Sequence, residues 1–246
     1  MNFDKIDLLK SELDKLRPLP SAAVRNLEQV YRVEWTYNSN AIEGNTLTLL
    51  ETKLVLEEGL TIGGKKLREH FEVVNHSEAI NYVQDVVDRN IELSEYVIKS
   101  IHHLVLKNID DENAGRYRMI NVMISGSQHT PPNFAVLSEK MEQLILWYDE
   151  HKDKLHPVEL AAEFHFRFVY IHPFSDGNGR TARLLMNIIL MKYGFPPAIV
   201  KAANEARLKY YETLEKASIE SDIVPFVQLI AECVEVSLQR YIGAVK

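Results

Sequence analysis

His172-Pro173-Phe174-Ser175-Asp176-Gly177-Asn178-Gly179-Arg180-Thr181-Ala182-Arg183 gathers a histidine, a carboxylate, two glycines and two arginines into one turn and the helix start it leads into. Glycines at 177 and 179 let the backbone approach a ligand closely. A helix beginning near Arg180 aims unpaired N–H groups and its positive dipole end at an anion. Arg180 and Arg183 share one face of that helix, so a terminal phosphate meets two guanidiniums while Asp176 is free to hold a metal ion. Upstream, a helical stretch Val158–Tyr170 delivers the turn, Pro173 fixes the backbone after the histidine, and Phe174 fills the core beneath it. Downstream, Leu184–Met191 is apolar apart from Asn187, so the turn opens an apolar helix.

The residue types specify a chemistry. A neutral His172 takes a proton from an incoming hydroxyl, as transfer from a nucleotide to Ser, Thr or Tyr requires. Asp176 binds Mg²⁺ bridging two phosphates, and the arginines neutralise charge on a leaving pyrophosphate. Other histidines do not form such a cluster. His156-Pro157 reads as structural, and His102 and His103 are adjacent, lack a third ligand, and read as core or solvated residues.

Composition bounds the remaining possibilities. The 246 residues are 46% apolar and 26% charged, as in a globular chain, and a net charge of −7 disfavours a nucleic-acid partner. Met1–Leu16 carries Asp4, Asp7, Glu12 and Asp14 and does not read as a signal peptide, and no apolar run is long enough to span a bilayer. A single cysteine, Cys233, rules out an internal disulfide and suits a cytoplasmic setting.

Helical periodicity dominates the chain. Ile6, Leu9, Leu13 and Leu16 mark a first helix that Pro18 and Pro20 end, and a second is expected over 22–38. The stretch Ser39–Asn45 holds helix-stop residues, and Thr46 and Thr48 are candidate caps for a helix over 49–58. Further helices are expected at about 67–89, 93–107, 137–151, 157–170, 180–193, 204–219 and 224–242. The exception lies between Gly115 and Pro132, where Tyr117, Met119, Val122, Met123 and Ile124 precede Ser125-Gly126-Ser127. A short β-hairpin flap is expected there, able to hold a peptide by strand addition.

Residues 172–183 resemble the signature of the Fic family, His-Pro-Phe-x-Asp/Glu-Gly-Asn-Gly-Arg-x-x-Arg, at every defined position. The likeness extends to Leu155–Glu159, to Ala114-Gly115-Arg116-Tyr117-Arg118, to Arg207–Tyr211 and to Pro225-Phe226, so that roughly 40–240 look like this family. The resemblance implies an all-α, Fic-type helical domain with a β-hairpin flap over the active site and an N-terminal helical extension. Residues 1–92 would form the regulatory helical region and 93–240 the catalytic core. It implies transfer of AMP from ATP to a protein hydroxyl, with His172 as base, Asp176 as Mg²⁺ ligand, Gly177, Asn178 and Gly179 as the anion hole, and Arg180 and Arg183 as phosphate ligands. Ile124, Ser125, Gly126 and Ser127 would cover the nucleotide and align the target, and Tyr210 and Tyr211 would approach the adenosine. Where related chains carry Asn and then Gly-Asp, this one has Ser218-Ile219-Glu220-Ser221-Asp222, which leaves the ribose and adenine contacts there unassigned. Both motif glycines are kept, which favours AMP transfer over the phosphate transfer of Doc-type relatives.

Ser39-Asn40-Ala41-Ile42-Glu43-Gly44 also fits the family's inhibitory pattern, Ser/Thr-x-x-x-Glu-Gly/Asn. Ser39 and Glu43 are one helical turn apart, so both can face the site, and Glu43 is expected to pair with Arg183 in bidentate fashion. An arginine so engaged cannot hold the γ-phosphate, and a nucleotide misplaced by about 1 Å reacts on the order of a hundredfold more slowly. The expectation is therefore an auto-inhibited protein adenylyltransferase acting on a target protein and on itself. Its alternatives are an AMP-removing or bifunctional enzyme that uses Glu43, and a non-catalytic nucleotide-binding module. Because the family often self-associates, a homodimer is a further expectation.

Overall fold

The computed structural model describes the backbone of residues 1–246 and every side chain other than those of Ser21 and Ala23. Ten α-helices run in the order α1 (Asp4–Lys15), α2 (Ser21–Ile42), α3 (Leu49–Glu58), α4 (Leu67–Asp88), α5 (Glu95–Leu106), α6 (Leu137–His151), α7 (Pro157–Ile171), α8 (Asn178–Lys192), α9 (Asn204–Glu220) and α10 (Val224–Val245). A 3₁₀ turn, Phe134–Val136, leads into α6.

Local chemistry sets the helix ends. Thr48 accepts the Glu51 N–H at 3.2 Å while the Glu51 carboxylate accepts the Thr48 N–H at 2.7 Å, and Gly59 closes α3 at φ 64°. Pro157 opens α7 and His156 caps it by accepting the Val158 N–H at 3.2 Å. The same imidazole stacks on Phe3 at 4.0 Å and reaches Asp7 at 3.1 Å, which ties α1 to α7 and accounts for the structural reading of this histidine.

The apolar helix after the motif is the centre of the molecule. Twelve of the fifteen residues of α8 are buried, and α7, α4, α5 and α2 pack around it. One hydrophobic cluster runs from Phe3 on the first helix to Ile242 on the last, joining the two ends of the chain through α8. Asn187, the polar break in its apolar run, is fully satisfied: its amide donates to the Ala198 carbonyl at 3.0 Å and accepts the Ala198 N–H at 2.8 Å.

Two expectations change. Helix α2 does not stop at 38 but runs to Ile42, because its late polar residues find partners in the helical state. Asn38 bonds the Glu34 carbonyl at 2.7 Å, and Asn40 bonds the Thr36 and Glu72 carbonyls at 3.0 and 3.2 Å. The β-hairpin between Gly115 and Pro132 does not form, and no strand occurs among the described residues. The segment is extended and reverses at a turn in which the Ser127 N–H donates to the Ile124 carbonyl at 3.1 Å, with Gly126 at φ 80°. Its backbone is held by side chains from elsewhere in place of a strand ladder.

Candidate active site

The helix before the motif ends on His172, whose backbone is left-handed at φ 49°, ψ 58°. A β-carbon makes that conformation costly, and such strain persists only where surrounding contacts enforce it. Arg118 supplies them. Its Nε donates to the His172 carbonyl at 2.9 Å, its backbone N–H donates to the Pro173 carbonyl at 3.0 Å, and its two terminal nitrogens donate to the Ile120 and Pro132 carbonyls at 2.8 and 2.6 Å. One buried guanidinium thus clamps the flap segment to the catalytic turn, and burial lowers its pKa.

Below the turn, Phe174 is fully buried and stacked on His102 at 3.5 Å, with the rings 1° from parallel. His102 Nδ1 accepts the Gly115 N–H at 2.9 Å, which leaves Nε2–H to donate to the Asp176 carbonyl at 2.9 Å. Burial pushes its pKa down to about 4, so it stays neutral and holds this tautomer. Asn178 completes the turn, accepting the Phe174 N–H at 3.0 Å and donating to the Phe174 carbonyl at 2.8 Å. Gly177 adopts φ 74°, and a Cβ there would meet Val105 and His102 within 3.3 Å.

Helix α8 therefore starts at Asn178, two residues earlier than expected, and its first intrahelical bond runs from the Thr181 N–H to the Gly177 carbonyl at 3.0 Å. The N–H groups before it form an anion cradle. A carboxylate stands against it: a Cβ on Gly179 would lie inside contact distance of Glu43 Oε1 and 3.2 Å from Arg183 Nη1. Glu43 Oε1 also accepts from Arg183 Nη2 at 2.7 Å. The expected bidentate pairing is replaced by a shared one. Arg183 Nε donates to Ser39 Oγ at 3.1 Å, Nη2 also donates to the Ser39 carbonyl at 2.8 Å, and Nη1 donates to the Tyr210 hydroxyl at 3.2 Å.

Arg180 is 3% exposed, bonds Asp176 Oδ1 at 3.2 Å and lies 3.6 Å from Glu72. Its Nε and Nη1 are buried with no hydrogen-bond partner among the described residues. Asp176 Oδ2 takes Arg68 Nη2 at 2.5 Å and Oδ1 takes the Gly177 N–H at 2.5 Å. Burial alone would raise the Asp176 pKa, but Arg180, the Gly177 N–H and Arg68 hold it below the ordinary carboxylate value. No cluster of three or more His, Cys, Asp or Glu groups capable of enclosing a metal occurs among the described residues. As the turn's single half-exposed carboxylate, Asp176 fits Mg²⁺ shared with phosphate oxygens and water better than an all-protein cage, provided that Arg68 gives up Oδ2.

A cleft of about 820 Å³ opens in front of the cradle, lined by Glu43, His172, Gly179, the Ile124–His129 turn, Tyr210 and Tyr211, and by α9 as far as Glu220. Burial pushes the His172 pKa down to about 4, so the imidazole is neutral at pH 7 and able to accept a proton. Across the cleft Glu215 accepts from Ser127 Oγ and from the Gln128 N–H at 2.7 Å, tying the flap to α9. Tyr211 is half-exposed, with its hydroxyl donating to the Ile42 carbonyl at 3.0 Å, whereas Tyr210 is buried and its hydroxyl is turned away to Arg183 and His165.

The structure thus brings His172, Glu43, Gly179, Ile124, Ser125, Gly126, Ser127, Tyr210 and Tyr211 around one cavity, with Arg183 directly behind Glu43. Asp176, Gly177, Asn178 and Arg180 form the adjoining turn. Arg118, His102, Arg68 and Glu215 were not legible as site residues, because their roles depend on partners far away in sequence. Only the Gly115–Arg118 stretch carried a signal, as part of the resemblance.

A helical fold that strings a strained histidine, a carboxylate and an anion cradle along one turn, and covers them with a side-chain-held flap, is the architecture of one family. A sequence model of the Fic/DOC family matches residues 92–190. The chain is 39% identical to the protein adenylyltransferase Fic of Nematostella vectensis over 99% of its own length and 57% of that protein. It is 38% identical to its counterpart from Drosophila persimilis over 98% of its own length and 47% of that one. The chain therefore spans about half the length of the curated relatives it matches. Among solved structures, Fic-1 from C. elegans superposes with a TM-score of 0.87 at 38% identity, covering 98% of this chain and 71% of that one. A Fic domain containing signaling protein from Bacteroides thetaiotaomicron superposes with a TM-score of 0.90 at 32% identity, covering 98% and 96%. The chain belongs to the Fic/DOC family.

Proposed function

We propose that this chain is an auto-inhibited protein adenylyltransferase that moves AMP from ATP onto a Ser, Thr or Tyr hydroxyl of a protein target and of itself. The observation that carries the reading is Glu43: one carboxylate stands against Gly179 at the mouth of the turn and accepts from Arg183, next to the two features a nucleotide's phosphates need. The names of the relatives support the activity.

In the reaction, His172 removes the hydroxyl proton as the oxygen attacks the α-phosphorus. The bond to the β,γ-diphosphate breaks, and diphosphate leaves with its charge balanced by the α8 N–H groups, Arg180 and Arg183. Asp176 is the residue that would hold Mg²⁺, which when bound neutralises phosphate charge. Residues 93–240 carry out the chemistry in this reading, and 1–92 restrain it through Ser39 and Glu43. The extended stretch before Ile124 would take the target backbone, and the single thiol of Cys233 agrees with a cytoplasmic site of action.

The test is incubation of wild type, Glu43→Gly and Glu43→Gly/His172→Ala with labelled ATP, Mg²⁺ and lysate. Glu43→Gly should raise AMP incorporation at least about tenfold, since misplaced phosphates cost on the order of a hundredfold. His172→Ala should abolish incorporation while nucleotide still binds. Equal incorporation by wild type and Glu43→Gly would overturn the auto-inhibited reading. A second reading, removal of AMP by water, is favoured by one observation: Glu43 and His172 line the same cleft, where a carboxylate can position a water. Release of AMP from a modified target, lost in Glu43→Gly, would establish it.

A further inference from the structure

Arg183 is bound from two sides, and the sides differ in what they belong to. Ser39 and Glu43 both come from the end of α2, the element that must withdraw before phosphate can enter. Tyr210, on α9, is the remaining partner. The Tyr210 hydroxyl lies 3.2 Å from Arg183 Nη1 and 3.0 Å from His165 Nε2 on α7. All three side chains are sealed from solvent, with Arg183 2%, Tyr210 1% and His165 0% exposed.

We propose that Tyr210, fixed by His165, is the positioning residue that keeps Arg183 aimed at the nucleotide's terminal phosphate once Glu43 has gone. This rests on the adenylyltransferase reading and adds to it how the arginine survives release of its inhibitor. A guanidinium nitrogen only donates, so the phenol oxygen accepts from Nη1 and directs its own proton to His165 Nε2. This assigns His165 the Nδ1–H tautomer, whose Nδ1 is buried without a hydrogen-bond partner among the described residues, and burial keeps the ring neutral, so Nε2 accepts that proton's hydrogen bond. His165 is further packed on the Phe226 ring at 5.0 Å. The phenol is locked in turn, and with it one edge of the guanidinium. Removing the Glu43 carboxylate opens one side of Nη2 to a phosphate oxygen, while Ser39 still takes Nε and the other side of Nη2 and Tyr210 alone holds Nη1. An untethered arginine would have to be ordered by the nucleotide itself, and its affinity would fall by that cost.

The experiment measures ATP and ADP binding by calorimetry in a Glu43→Gly background, adding Tyr210→Phe, His165→Gln or His165→Leu. Tyr210→Phe keeps the ring and removes only the tether, so affinity for ATP should fall about fivefold, the worth of a typical hydrogen bond. Affinity for ADP, which lacks the γ-phosphate Arg183 addresses, should change less than twofold. Gln at 165 places an oxygen near the lost Nε2 and should restore most of the ATP affinity that Leu removes. Thermal melts of each variant report folding separately. Equal losses for ATP and ADP would mean that Tyr210 merely supports the fold, and unchanged ATP affinity would mean that Arg183 needs no tether; either overturns the proposal. If Glu43→Gly alone bound no nucleotide, the adenylyltransferase reading would fall with it, an outcome distinct from the other two.

Discussion

Glycine at 179 and glutamate at 43 make a single device, because the space a side chain would take on one is filled by the carboxylate of the other. That contact leads to a prediction about coupling. Gly179→Ala should lower the melting temperature of the wild-type chain, since the new methyl displaces Glu43 from Arg183. In a Glu43→Gly background the same change should cost less, with a coupling of roughly 0.5–3 kcal/mol, the range found for residues in contact. Equal costs in the two backgrounds would mean that the carboxylate does not occupy the cradle in solution. His172 was singled out from sequence as the candidate base. Its left-handed backbone and a pKa pushed down to about 4 were not, because both come from burial and from Arg118, more than fifty residues away.

Between elements, the flap shows how local propensity and tertiary context divide the work. The apolar run before Ser125-Gly126-Ser127 and its glycine turn suggested a hairpin, and the turn is there, with Gly126 at φ 80°. The strand pairing is not, since Arg118 takes the Ile120 and Pro132 carbonyls and Glu215 takes the Gln128 N–H. Arg118→Lys should therefore be far from conservative. A compact ammonium cannot reach three carbonyls in fork geometry, and leaving buried acceptors unpaired should destabilise by roughly 2–4 kcal/mol. Amide exchange across 118–124 should accelerate, and AMP incorporation by Glu43→Gly should drop with it. Protection unchanged from wild type would remove Arg118 from this role. The extension of α2 to Ile42 is a second case: Asn40 looked like a helix-stop residue, but carbonyls on α2 and α4 accept from its amide nitrogen within the helix.

For the whole molecule, three buried histidines and the partly buried His172 make stability depend on pH. Burial lowers His102 and His172 to about 4 and holds His76 and His165 well below the ordinary 6.5. Between those values the unfolded chain binds more protons than the folded one. The stability they contribute is thus fully present above about pH 6.5 and is lost as pH falls toward 4, at about 1.4 kcal/mol per pKa unit for each group. Glu34 and Glu69, held at about 2 mainly by Arg240 hydrogen bonding and by Thr46 and backbone N–H groups respectively, add to the loss only once the unfolded chain's carboxylates take up protons near 4.5. Urea midpoints should therefore begin to decline near pH 6.5, well above the range in which those carboxylates contribute. A midpoint constant from there down to that range would show that the histidines are solvated.

Sequence alone determined that the chain is helical and where nearly every helix lies, and it singled out residues 172–183 as the candidate phosphate site. All of these depend on short-range rules, from apolar spacing and caps to the glycines and arginines of one turn. It also pointed to Glu43, through the resemblance of Ser39–Gly44 to the family's inhibitory pattern, in which Ser39 and Glu43 stand one helical turn apart. Only the tertiary structure decided how Arg183 is divided among Ser39, Glu43 and Tyr210, and that Tyr210 turns its hydroxyl inward. It likewise decided that His102 and Arg118 hold the catalytic turn, and that the flap is pinned by side chains. The physical reason is the same in each case: a buried polar group takes whichever partner the packing of distant helices brings within reach, and the order of residues along the chain does not record that proximity.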